Sequence, residues 1–145
     1  MTWLPLPAGE GSERERLLGL LPEVARAHRA FLEACEGFDG GRVMALCRAR
    51  LALLLDCREE LARHDAALLE ELRDPARSPA FTPLERLVLE FAEQFLLDPA
   101  RVEPELLREL EALRGPSYVI DLAAALTGVE ASLRLAALFD LEPAP

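Results

Sequence analysis

Apolar residues recur every three to four positions through most of the chain, and Pro, Gly, Ser and Asp interrupt this helical period. The pattern predicts one all-α domain of about seven helices over residues 1–145, with a Pro-rich N-terminal arm over 1–11. Ser12-x-x-Glu15 and Thr82-Pro83-x-Glu85 are capping boxes that begin two of the helices. The predicted helices are a short one before residue 22, then 22–37, 42–55, 56–73, 83–97, 103–113, 116–127 and 130–139.

Two boundaries in this prediction are left open by the pattern. The helices over 42–55 and 56–73 are either continuous or separated at Asp56, which can cap the second of them with Glu59 completing a capping box. The last two helices are either separate or joined around Gly128. Arg50 lies within the apolar run of the helix over 42–55, and we expect a buried ion pair or a subunit interface there.

Composition supports the helical prediction. The chain has 31 Leu and 23 Ala among 145 residues, against only 10 Val, Ile and Thr together. It has a net charge of −10, and all 16 basic residues are Arg. Scarce Asn and Gln with many Pro are typical of a heat-adapted source, and a GC-rich genome, which replaces Lys with Arg, gives much the same bias.

The acidic balance also limits the partners. Nucleic-acid binding needs clustered positive charge, so we expect no nucleic-acid partner. No apolar run approaches the roughly 18 residues of a membrane span, and the start has no basic signal-peptide region, so we expect no membrane partner. Three cysteines, an odd number, suggest free thiols in a reducing, cytoplasmic location.

The candidate chemistry lies in Cys57, Glu60 and His64. Their i, i+3, i+7 spacing places them within roughly 60° on one helix face, and Glu60 and His64 are close enough to hydrogen-bond. In a helix over 56–73 the thiol of Cys57 would sit in the first turn, where the helix dipole favours a thiolate. The alternative interpretation is a buried, inert Cys57 with His64 paired to Glu60 at the surface. The histidine and cysteine spacing fits no zinc site, and we expect neither a metal nor a cofactor.

Residues 51–64 (LALLLDCREELARH) resemble the signature of the alkylhydroperoxidase AhpD-like family, which includes the carboxymuconolactone decarboxylases. In the peroxidase members this signature is a Glu, eleven residues, then Cys-x-x-Cys-x-x-x-His. Cys57 falls on the first Cys and His64 on the His. Further similarities at Leu21-Pro22, in the segment from Phe81 to Glu93 and at Arg134-Leu135 extend the resemblance to about residues 17–141. The resemblance implies the AhpD-like helical fold and a closed homo-oligomer.

Two positions depart from the family pattern. Glu60 stands where the second Cys would be, and Ala45 stands where the upstream Glu would be. The resemblance implies that, in the peroxidases, the second Cys is the one attacked by peroxide. The first Cys then forms a disulfide with it, and the Glu and His relay protons. Without the second Cys this motif cannot form its disulfide, which leaves Cys35 and Cys47 as candidate resolving thiols or as core residues.

Three functions therefore remain as hypotheses. The first is a one-cysteine or impaired hydroperoxide reductase, in which Cys57 is oxidised by a peroxide and restored by a thiol reductant, with Glu60 and His64 as proton relay. The second is a decarboxylase-like acid–base enzyme that uses Glu60 and His64. The third is a non-catalytic homo-oligomer that serves as a binding protein.

Overall fold

The structure is a computed structural model that describes residues 2–143. These residues form eight α-helices and two short 3-10 turns, and no strand occurs among them. The prediction of an all-α chain is confirmed, with one helix more than expected. The helices are α1 (Glu13–Gly19), α2 (Pro22–Glu36), α3 (Arg42–Leu54), α4 (Arg58–Leu61), α5 (Ala66–Glu71), α6 (Pro83–Leu97), α7 (Pro104–Arg114) and α8 (Pro116–Leu138).

The longest helix, α8, packs against α2, α3, α4, α6 and α7, and α6 also packs against α3 and α7. The core between them is rich in leucine, because Leu is both a strong helix former and a large apolar side chain. Its fully buried members include Leu51, Leu122, Leu126 and Leu133. Among the described residues, no helix combines the length and the apolar character needed to cross a membrane.

Both predicted capping boxes are confirmed. The Ser12 hydroxyl accepts from the Glu15 backbone N–H at the start of α1, and Thr82 accepts from Glu85 in the same way at the start of α6. Arg50 is buried and pairs with Glu93, whose side chain is 35% exposed, so the expected ion pair is present with only one of its partners buried. Its guanidinium additionally donates to the backbone carbonyl of Leu72.

The C-terminal pattern is one continuous helix rather than two. Gly128 lies within α8 at its contact with α2, and a Cβ placed there would be 2.8 Å from the sulfur of Cys35. The glycine therefore allows two helices to approach closely and does not mark a helix end.

The predicted helix over 56–73 is wrong. Asp56 adopts a left-handed conformation with φ of 51°, and it is not a helix cap. The N–H of Cys57 donates to the carbonyl of Ala52, and that of Asp56 to Leu53, which together form the Schellman motif that ends α3. The chain then continues as two short helices, α4 and α5, in place of one long helix.

Candidate functional site

Cys57 is the N-cap residue of α4 and does not sit in its first turn. The residue is only 1% exposed. Burial raises the pKa of its thiol, and the charges of Glu59 and Glu60 raise this pKa further. The Glu60 backbone N–H, which donates to the sulfur, and the nearby Arg14 act in the opposite direction, but the net shift of the pKa is upward.

Glu59 and Glu60 are neighbours on α4, and both side chains are buried. Glu59 is clamped by Arg14 of α1, whose Nε lies 3.0 Å from Oε1 and 3.1 Å from Oε2 of the carboxylate. The same guanidinium donates to the Ser132 hydroxyl of α8 at 2.6 Å. Arg14 of α1 is thus linked to α4 through the carboxylate of Glu59 and to α8 through Ser132.

The carboxylate of Glu60 is 3% exposed and lies between His64 and Arg48. Its Oε1 is 3.0 Å from Nε2 of His64, so the contact predicted from the i, i+4 spacing is confirmed although α4 ends at Leu61. Its Oε2 lies 3.5 Å from Nη1 of Arg48 and has no hydrogen-bond partner among the described residues. Arg48 also donates to Glu36 at 2.9 Å.

His64 and Arg48 both line a cavity of about 250 Å³, which we call the His64 cavity. Its wall is formed by Glu36, Gly41, Met44, Ala45, Arg48, His64 and Val129. Ala45, which replaces the Glu of the family pattern, is therefore beside His64, whereas Cys57 is not part of the wall. Glu60 lies behind His64 and Arg48. The structure brings Glu60 and His64 together at a cavity and leaves Cys57 enclosed.

The other two cysteines are buried free thiols. Burial raises the pKa of Cys47 to about 12, and burial also raises the pKa of Cys35. Within the described part of the chain, no three His, Cys, Asp or Glu side chains come together in a way that could hold a metal ion. The sequence pattern missed the two arginines that contact these carboxylates, Arg14 on Glu59 and Arg48 on Glu60, which come from other helices.

The sequence matches no protein-family model and no curated protein. Among solved structures, the fold is similar to a crystal structure from Agrobacterium tumefaciens of a protein of unknown function, described as a candidate antioxidant defence protein AhpD. The TM-score is 0.77 at 15% sequence identity, and the match covers 89% of this chain and 96% of the other. Identity this low shows the fold and not the cysteine motif. The fold that the resemblance implied is confirmed, and this chain has the AhpD-like helical fold.

Proposed function

We propose that the protein is an acid–base enzyme in which His64 transfers a proton to and from a small substrate in the His64 cavity. The observation that carries this proposal is the 3.0 Å contact between the His64 ring and the buried Glu60 carboxylate. A carboxylate accepts hydrogen bonds, so Nε2 donates to it, and this contact orients the ring. The other ring nitrogen, Nδ1, has no hydrogen-bond partner among residues 2–143 and is available as a base.

This arrangement resembles the base and orienting carboxylate of a catalytic triad without a nucleophile. A base held in this way can abstract a proton from carbon next to a carbonyl and return it at a neighbouring atom, which is an isomerisation. In a decarboxylation the C–C bond to the carboxylate breaks, CO₂ leaves, and His64 in its protonated form would give a proton to the carbanion left behind. This acid–base chemistry corresponds to the second hypothesis drawn from the sequence.

The surroundings of Cys57 weigh against a peroxidase. A peroxidatic cysteine reacts as the thiolate and must be reached by the peroxide. Here the thiol is buried, its pKa is raised, and it does not line the cavity. Glu60 cannot replace the second cysteine, because a carboxylate does not undergo thiol oxidation.

One observation favours a one-cysteine hydroperoxide reductase as the second candidate. The Glu60 backbone N–H and Arg14 both support negative charge on the sulfur of Cys57. In that reaction the thiolate attacks the hydroperoxide, an S–O bond forms, the O–O bond breaks and an alcohol leaves. Two equivalents of a thiol reductant would then reduce the sulfenic acid back to the Cys57 thiol, with release of water and formation of a disulfide of the reductant.

The proposal includes assembly into a homo-oligomer in a reducing, cytoplasmic compartment. Exposed apolar side chains on α2 and α8 support assembly, because monomeric proteins rarely expose a contiguous apolar patch. Leu21, Val24 and Leu138 are all exposed, and Leu21 and Val24 line an apolar cavity of about 520 Å³. The three free thiols support the proposal of a reducing compartment, where cysteines stay reduced. A non-catalytic binding role would rest on the same apolar surface.

Parallel assays of wild type, His64→Ala and Cys57→Ser test the function. Proton transfer is followed by ¹H NMR in D₂O with small keto acids and lactones, and peroxide consumption is followed with cumene hydroperoxide and dihydrolipoamide. We expect His64→Ala to lower proton transfer by about 10² to 10⁴-fold and Cys57→Ser to leave it unchanged. Peroxide consumption that needs Cys57 and not His64 would overturn the proposal in favour of the reductase. An absence of turnover in both assays would contradict both enzyme functions and favour the non-catalytic binding protein.

A further inference from the structure

Arg48 is the only arginine in the wall of the His64 cavity. It lies on α3, and its side chain is mostly buried. Its Nη2 donates to Oε1 of Glu36, at the end of α2, and its Nη1 lies at ion-pair distance from Oε2 of Glu60, which has no hydrogen-bond partner among the described residues. A guanidinium that faces a cavity beside a candidate base is suited to hold the substrate of that base.

The two carboxylates on Arg48 differ in exposure. Glu60 is enclosed, whereas the Glu36 side chain is 57% exposed, so water can solvate its carboxylate when it leaves Arg48. Arg48 itself is 14% exposed, and a guanidinium that has lost Glu36 therefore favours a new anionic partner. A ligand carboxylate that enters the cavity can therefore replace Glu36 on Arg48.

We propose that the His64 cavity binds a small carboxylate, which takes the place of Glu36 on Arg48 and lies beside His64. This inference rests on the proposed function, because it names the class of substrate on which His64 acts. The charged guanidinium donates a charge-assisted hydrogen bond to a carboxylate, which is stronger than the bond that it donates to a neutral carbonyl compound. Glu36 is then a built-in competitor for the site.

Size and charge define the ligand further. The cavity volume corresponds to about eight water molecules, which suits an acid of a few carbon atoms. Arg48 already compensates the buried Glu60, so a monoanion suits the site better than a dianion. The net charge of −10 repels anions at long range, but salt screens that field beyond about 8 Å at physiological ionic strength.

The test uses NMR, because the chain has only two histidines. The Cε1 proton of His64, assigned by comparison with His28→Gln, is followed during titration with propionate. Propionamide, which has nearly the same shape and no charge, is the matched ligand control. We expect a saturable shift with propionate and none with propionamide.

Three variants locate the anion. Arg48→Gln should weaken propionate binding by about tenfold or more, and Arg48→Lys should weaken it less, because the charge remains but the ammonium cannot reproduce the position of the guanidinium donors. Glu36→Gln should strengthen binding by up to about fivefold, since the competitor is removed. Glu33→Gln makes the same charge change one turn earlier on α2, outside the cavity wall, and should leave binding unchanged.

Several results would overturn the inference. They are an equal response to propionamide, binding that persists in both Arg48 variants, or equal effects of Glu36→Gln and Glu33→Gln. Thermal stabilisation by propionate gives a second readout in His64→Ala, which should still bind the anion. Binding without proton transfer would contradict the proposed function and leave the anion site standing, whereas proton transfer without carboxylate binding would contradict the anion site alone.

Discussion

Glu59 and Glu60 are adjacent carboxylates on the four-residue helix α4, both almost fully buried, and their surroundings differ. Glu59 accepts several hydrogen bonds from Arg14, which is itself bound to Ser132. Glu60 has one hydrogen bond, to His64, and one oxygen without such a partner at 3.5 Å from Arg48. Successive residues of a helix point in different directions, so one carboxylate faces the bundle and its neighbour lies behind a cavity.

The difference is the basis on which the proposed function places Glu60, and not Glu59, in the site. A buried charge with all its partners in place holds helices together and has no capacity left for a ligand. A buried charge with an unfilled acceptor is costly for stability and is available to chemistry. The comparison therefore assigns Glu59 to the fold and Glu60 to the site.

The largest expected effect is the loss of the Glu59 clamp. Arg14→Leu leaves a buried carboxylate without its main partner, and we expect the free energy of unfolding to fall by about 3 kcal/mol. Urea denaturation at pH 7 measures it. The double variant Arg14→Leu with Glu59→Leu removes both charges and should recover much of this loss. A single-variant cost below about 1 kcal/mol would contradict the structural role of Glu59.

The next prediction compares the same substitution, Glu to Gln, at Glu60 and at Glu59. Glu60→Gln keeps the shape but can donate to Nε2 of His64, which then places the ring proton on Nδ1 and removes the base. We expect proton transfer to fall by about 100-fold or more. Glu59→Gln is the matched control, and it should lower the free energy of unfolding while turnover stays near wild type. Equal losses of turnover in both variants would remove the distinction between the two residues.

The thiol of Cys57, whose pKa both carboxylates raise, provides a third test. In Cys35→Ala with Cys47→Ala, Cys57 is the remaining thiol, and its reaction with iodoacetamide is followed by mass spectrometry. Because burial raises the pKa of Cys57, the thiolate fraction at pH 8 is below that of an ordinary thiol, and the rate should rise as pH rises toward 10. Burial also limits access, so we expect a rate about tenfold below that of glutathione at pH 8. If Cys57 reacts with iodoacetamide faster than glutathione does at pH 7, the result would favour the hydroperoxide reductase over the acid–base enzyme.

Local interactions explain why much of the fold could be predicted from the sequence. The capping boxes at Ser12 and Thr82 involve residues three apart, and their chemistry is contained in the pattern. The end of α3 was missed because Asp56 adopts the left-handed conformation that glycine usually takes in a Schellman motif. The continuity of α8 depends on the approach of Cys35 to Gly128, which only the tertiary structure shows.

In the candidate site, too, short-range contacts could be predicted from the sequence and long-range contacts could not. The contact between Glu60 and His64 follows from their i, i+4 spacing and was predicted. Arg14 lies 45 residues before Glu59, and Arg48 lies on a different helix from Glu60, so no short-range pattern indicates either contact. Burial of Cys57 likewise depends on packing against other helices, because Cys57 belongs to the main core cluster.

The smallest effect concerns the second partner of Glu59. Arg63 lies one turn after Glu59, with its Nη2 3.2 Å from Oε1, and its side chain is 52% exposed. Solvent screens such a pair, so Arg63→Gln should lower the free energy of unfolding by less than about 0.5 kcal/mol, and by less still in 1 M salt. Urea denaturation at low and high salt measures it beside Arg14→Leu. Arg14 and Arg63 contact the same carboxylate, so a large difference between the two variants shows that burial of the partner determines how strongly Glu59 stabilises the fold. Equal costs would mean that the number of partners decides instead, and Glu60, which lies between His64 and Arg48, would then be as structural as Glu59.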